Sequence, residues 1–180
     1  MNKKRAKKAV EFWLDEMVIG LNLCPFARPA KTLCQITITV SDADDEERAF
    51  KDALNAVEQV VSEWEQERTT TTLIAFPQTL TDFETFWDWV DAVEEVIERS
   101  ELDDIVQLAH FHPDYRFEGE AIDSHGHYTN RAPYPILHIL QVDHVSVAAD
   151  NHPDPKQIPY DNIAKLEAMT LEEINAKIHL

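Results

Sequence analysis

Two cysteines in 180 residues leave no material for a disulfide framework, and free thiols in a reducing compartment are the simplest expectation. Three glycines exclude a collagen repeat. No run of about 18 apolar residues occurs, so the sequence offers no membrane-spanning helix. Positive charge is also scarce: 16 Lys and Arg stand against 34 Asp and Glu, a formal net charge of −18. Such a surface repels phosphate backbones and argues against nonspecific nucleic-acid binding.

What is present belongs to a globular protein. Hydrophobic content of 44% and charged content of 28% exclude disordered and coiled-coil classes. The length predicts a single domain over residues 1–180 with one buried core. Five of the 16 basic residues (Lys3, Lys4, Arg5, Lys7, Lys8) crowd the first eight positions, where they oppose a helix dipole and predict a frayed start. This basic segment can dock on the acidic body or on a partner. It resembles the first part of a signal peptide, but Glu11, Asp15 and Glu16 interrupt the apolar segment that should follow. No export signal and a cytoplasmic location are expected.

Hydrophobic spacing predicts the elements. Ala6, Val10, Trp13, Leu14, Met17 and Leu21 share a helical face, with Gly20 as its C-terminal cap. Leu33–Val40 is β-branched and predicts a strand. Ser41, Asp42 and Asp44 are available to cap a helix running through Ala49, Val57 and Trp64, and a second strand ends at Pro77. Thr81-Asp82-Phe83-Glu84 has the form of a capping box before a third helix buried through Phe83, Phe86, Trp87, Val90, Val93 and Ile97. Ile105–Phe111 predicts a third strand, and Ile136–Val142 a fourth. A surface connector over 151–159 precedes a helix through Ile163, Leu166 and Met169, then a short one capped by Thr170 and Glu173. Strands joined by helical crossovers imply α/β architecture: a mostly parallel sheet of about four strands with helices on its faces.

The segment Ile105–Leu140 holds five of the eight histidines, two of the three glycines and three of the nine prolines. His110 and His112, two apart on a strand, face the same way. In a parallel sheet they would sit at the carboxyl end, where such sheets bind ligands, under a long loop over 113–134. Histidine titrates near neutrality, so His112 is a candidate acid/base with Asp114 to orient it. Arg131, beside Asn130 and Tyr128, suits bidentate capture of a carboxylate or phosphate; Arg116 is as well explained by pairing with nearby acids. His110 and His112, joined by His125 and His127, could also supply nitrogens to zinc, iron or copper, although histidine at a strand end is more often structural. Cys24, just past a helix end, is a candidate nucleophile if a cation lowers its pKa, against the commoner role of a packed thiol.

Leu21-Asn22-Leu23-Cys24-Pro25-Phe26-Ala27, Phe111-His112-Pro113-Asp114-Tyr115 with Phe117 and Gly119, and Thr129-Asn130-Arg131-Ala132-Pro133-Tyr134-Pro135 with Leu137-His138 together resemble a bacterial family catalogued as domain of unknown function 1415. The resemblance covers nearly the whole chain and implies bacterial origin with no assigned activity. The chain departs from the family pattern at Arg116, Ala132 and Gln141-Val142, where glutamine, serine and arginine-glutamate are usual. That argues against a general role for Arg116. His125 and His127 lie outside the matching stretches, which leaves His112, Asp114, Asn130, Arg131 and His138 as the favoured site residues.

The leading expectation is a protein that binds, or acts on, a small anionic metabolite. His112, Asp114 and Cys24 would be its chemical groups, and Asn130, Arg131, Tyr128 and His138 its binding groups. The alternatives are a divalent transition-metal protein with His110 and His112 as first ligands, and a noncatalytic interaction protein whose His/Arg loop is a structural pin. Neither nucleic acid nor a membrane is an expected partner.

Overall fold

The computed structural model describes residues 2–180. Asn2 caps α1 (Lys3–Trp13) by accepting the Lys4 amide, and Lys3 pairs with Asp42. The basic start is therefore helical from Lys3. The helix expected to run on to Leu21 instead widens into a π turn over Leu14–Ile19.

Gly20 is not the left-handed cap that the sequence predicts. Its φ is −62°, and Asn22 takes the left-handed position at φ 53°. Glycine is needed here for space: a Cβ would lie 2.3 Å from the Glu16 carbonyl oxygen, which the wide turn directs at it. By helix propensity alone Gly20→Ala would stabilise the protein. The overlap with backbone reverses the sign, and thermal denaturation should show a loss of about 2 kcal/mol or more.

A short α2 (Ala27–Thr32) occupies what precedes the first strand, and Cys34, at φ 56°, is exposed in the turn after it. β1 is thus Ile36–Val40, shorter than expected. Asp45, rather than the earlier polar residues, caps α3 (Glu46–Glu65) through the Arg48 amide. After β2 (Thr71–Ala75), α4 (Phe83–Arg99) is capped by Asp82, whose carboxylate accepts the Thr85 amide and hydroxyl; Thr81 stands one residue before the cap. Trp89 fills the core position expected for Trp87, which is partly exposed. β3 is Val106–Phe111 and β4 is Ile136–Gln141. α5 (Val142–Asp150) follows β4 directly, then α6 (Ile158–Glu167) and α7 (Leu171–Ile178), the last closed by the expected Thr170/Glu173 capping box.

The sheet has the order β1-β2-β4-β3. β1 and β2 pair in parallel, while β4 runs antiparallel to both β2 and β3. The mostly parallel sheet predicted from the sequence is therefore corrected to a mixed one. β1, β2 and β3 still point the same way. No crossover helix separates β3 from β4, however, so the chain re-enters at the end where β3 stopped and must run back. β2 and β4, buried on both faces, take the central places, and the alternating β1 fits an edge.

Helices cover both faces. Ala53, Val57, Phe86, Val90 and Val93 of α3 and α4 pack on Ile74, Val106, Leu137 and Ile139. Val10, Trp13, Met17, Leu166, Ile174 and Ile178 cover Leu73, Ala75 and Ile136 on the opposite face. No helix among the described residues is long and apolar enough to cross a membrane.

Candidate functional site

The segment between β3 and β4 is tied down rather than draped. A 3₁₀ turn over His125–Thr129 is capped by Ser124, and the His125 amide and Ser124 hydroxyl both donate to Glu167 of α6. Asn130 continues the edge of β3: its side-chain amide donates to the His110 carbonyl, and its own carbonyl accepts the His112 amide.

Its histidines serve the main chain. His112 has no exposed surface; Nε2 lies 3.0 Å from the Leu80 carbonyl and Nδ1 accepts the Asp114 amide at 3.0 Å. These contacts fix the Nε2–H tautomer, and burial, opposed by the bond to Leu80 and by the charges of Asp114 and Asp82, holds the pKa below its ordinary value. Asp114 therefore contacts His112 through its backbone, not through its carboxylate. His127 repeats the device, with Nδ1 accepting the Phe117 amide and Nε2 bonded to Ala121 O. His110 shares the His112 face, as expected, both rings lying against Phe86. The His110 ring stacks on Tyr115 at 5.6 Å with Nδ1 buried and unpaired among the described residues, and burial lowers its pKa. Among the described residues, no group of three or more His, Cys, Asp or Glu is placed to hold a metal ion.

Beside this frame lies a polar cleft of about 340 Å³, lined by Thr81, Asp82 and Phe83 at the start of α4 and by Asp114, Arg116 and Arg131. Arg131 is pre-positioned. Its Nε donates to the Tyr115 carbonyl at 3.2 Å, its guanidinium lies 4.3 Å from the Tyr128 ring centroid, and its own carbonyl accepts the Trp13 indole N–H at 2.9 Å. Tyr115 is a firm support, its hydroxyl pKa pushed up to about 12 by burial despite a bond from Asn130. Among the described residues no carboxylate lies within ion-pair distance of Arg131. Arg116, more exposed, makes one long contact of 3.9 Å with Glu84.

The chain matches the family model described as a protein of unknown function, DUF1415, over residues 5–176. It belongs to that family. No curated protein and no solved structure matches it.

The DUF1415 fold divides the residues singled out in the sequence into two groups. His110, His112, Asp114, Tyr128, Asn130 and Arg131 gather around the carboxyl end of β3. Cys24 and His138 instead line a cavity on the other face of the sheet, beside Phe111 and Thr71. Burial raises the Cys24 pKa, while the Phe26 and Ala27 amides pull it back. Thr81 and Asp82 of the cleft were missed because they looked like helix-cap residues alone. Thr71 was hidden in a threonine run, and α5 in the apolar sequence continuing from β4, which has no capping side chain to mark the boundary.

Proposed function

We propose that the protein binds a small molecule bearing a carboxylate or phosphate in the cleft between the start of α4 and the loop after β3, with Arg131 as its anchor. The observation that carries this reading is the Arg131 guanidinium. It is held by Tyr115 and Tyr128, unpaired with any carboxylate among the described residues, in a protein with twice as many acidic as basic residues. A fork with Nε already engaged offers its terminal nitrogens to two anionic oxygens. Thr81 adds a hydroxyl. Asp82 and Asp114 favour a ligand that carries hydroxyl or ammonium donors next to its anion. Asn130 and Tyr128 act by positioning Arg131. The commitment of both His112 nitrogens to the main chain favours binding over proton transfer at that residue.

The test is a thermal-shift screen of inorganic phosphate and of phosphorylated and carboxylated metabolites, followed by calorimetry on those that raise the Tm. Affinity should fall with added salt and drop roughly ten- to a hundred-fold in Arg131→Gln. If no anion raises the Tm, and the variant loses stability sharply, Arg131 is a structural pin and the proposal is wrong.

A further inference from the structure

On the face of the sheet away from the cleft, a partly open cavity of about 260 Å³ lies between the strands and three helical segments. Its floor is Ile36, Leu73, Ala109, Phe111 and Leu140. Trp13, Leu14 and Val18 with the Cys24–Ala30 segment wall it, and His144, Val145 and Ala148 of α5 form the roof. Among the described residues no Lys, Arg, Asp or Glu lines it. A water placed here would find few of the two to four polar partners that buried water needs, whereas an apolar cavity of roughly 150 Å³ already takes up benzene. The space suits an organic guest.

Besides Cys24, Gln107 and His144, which also line it, the polar side chains on its wall are engaged with one another or with the main chain. Trp13 Nε1 is spent on the Arg131 carbonyl, and the Gln141 amide on Thr70 N and Arg68 O. Thr71 Oγ1 donates to the Ile139 carbonyl at 3.1 Å and lies 2.5 Å from His138 Nε2. Because the threonine proton goes to Ile139, Nε2 carries the imidazole proton and donates to Thr71. His138 Nδ1 is then a bare acceptor with no partner among the described residues. Burial lowers the ring's pKa to about 4, so it stays neutral near pH 7. The roof is light: α5 has no fully buried residue, and Val147 on it is exposed. A guest therefore passes one lightly packed helix rather than opening the core.

We propose that this cavity is a binding site for a small, uncharged, mainly apolar molecule that donates one hydrogen bond to His138 Nδ1, such as a phenol or an alcohol. The site is separate from the Arg131 cleft and goes beyond that reading: one takes an anion, the other excludes charge.

Calorimetric titration of the full chain with 4-ethylphenol, and with ethylbenzene as the same shape without the donor, tests it. Wild type should bind the phenol at least tenfold more tightly than the hydrocarbon. In His138→Phe that preference should vanish while ethylbenzene still binds. In Ala148→Phe, which fills the cavity from the lightly packed roof, both should be lost with the melting temperature retained. If neither compound binds wild type up to its solubility, or if Ala148→Phe binds both as wild type does, the cavity is not a ligand site. A phenol preference that survives in His138→Phe overturns the role of Nδ1.

Discussion

His112→Ala should destabilise the protein by roughly 3–5 kcal/mol, lowering the Tm by about 10 °C or more. The fully buried ring bridges two loops, donating to the carbonyl of Leu80 and accepting from the amide of Asp114. Leu80 sits at φ 58°, a conformation that a side-chain-bearing residue keeps only when its surroundings hold it. Removing the imidazole leaves a buried carbonyl and amide without partners and opens a void beside Phe83 and Phe86. Two further variants separate these effects. His112→Phe restores most of the volume but neither hydrogen bond, and should cost about 2–4 kcal/mol. His112→Gln can offer both an acceptor and a donor, and should be milder than Ala. Urea denaturation of the three variants provides the ranking. If all three fold as stably as wild type, and ligand turnover disappears, His112 is a proton-transfer group after all.

Stability should decline as the pH falls from about 6.5 towards 4, and a large share of the decline should disappear in His138→Phe. Unfolded, an imidazole titrates near 6.5. Folded, burial depresses His138 to about 4. Between these values the unfolded chain holds a proton that the native state lacks, so each step down in pH favours unfolding. The contribution is complete above about pH 6.5 and is lost by about pH 4, for a total of roughly 3 kcal/mol. His110 and His112, also depressed by burial, act in the same direction. Phenylalanine at 138 is a fair replacement because Thr71 keeps its bond to the Ile139 carbonyl. The check is the difference in urea midpoints between wild type and variant across pH 7 to 4, since the many carboxylates titrate alike in both. Parallel curves would rule out a buried neutral His138.

The sequence singled out one histidine-rich segment but not the division of labour within it. His110-x-His112 share a face because a strand repeats every two residues, and that held. Whether a histidine faces a ligand or a backbone carbonyl depends on what other parts of the chain bring to it. For His112 that is Leu80, 32 residues away; for His125 it is Leu166, 41 away. Arg131 was legible as an unusual cation in an acidic protein, but not its support by Tyr115, nor its neighbours Thr81 and Asp82. His138 and Cys24 were both noted, yet nothing in their spacing tells that they line one cavity. Strand parity separates His138 from His110, and β4 had first to be placed in the sheet: Ala109 is the β3 residue paired with His138, so His110 lies on the opposite face.

Local chemistry by itself determined the helices with clean apolar stripes, the three strands that point one way, the Thr170/Glu173 cap and the acidic, cysteine-poor character of the surface. These depend on periodicity and composition, which any window of the sequence carries. Only the tertiary structure decided that β4 slots antiparallel between β2 and β3, that Gly20 is needed for clearance from Glu16 rather than for a left-handed turn, and that His112, His125 and His127 are spent on the backbone. Each of these turns on contacts between residues distant in the chain or on a local widening of the helix. Such contacts are set by which packing buries the most apolar surface while leaving the fewest polar groups unpaired.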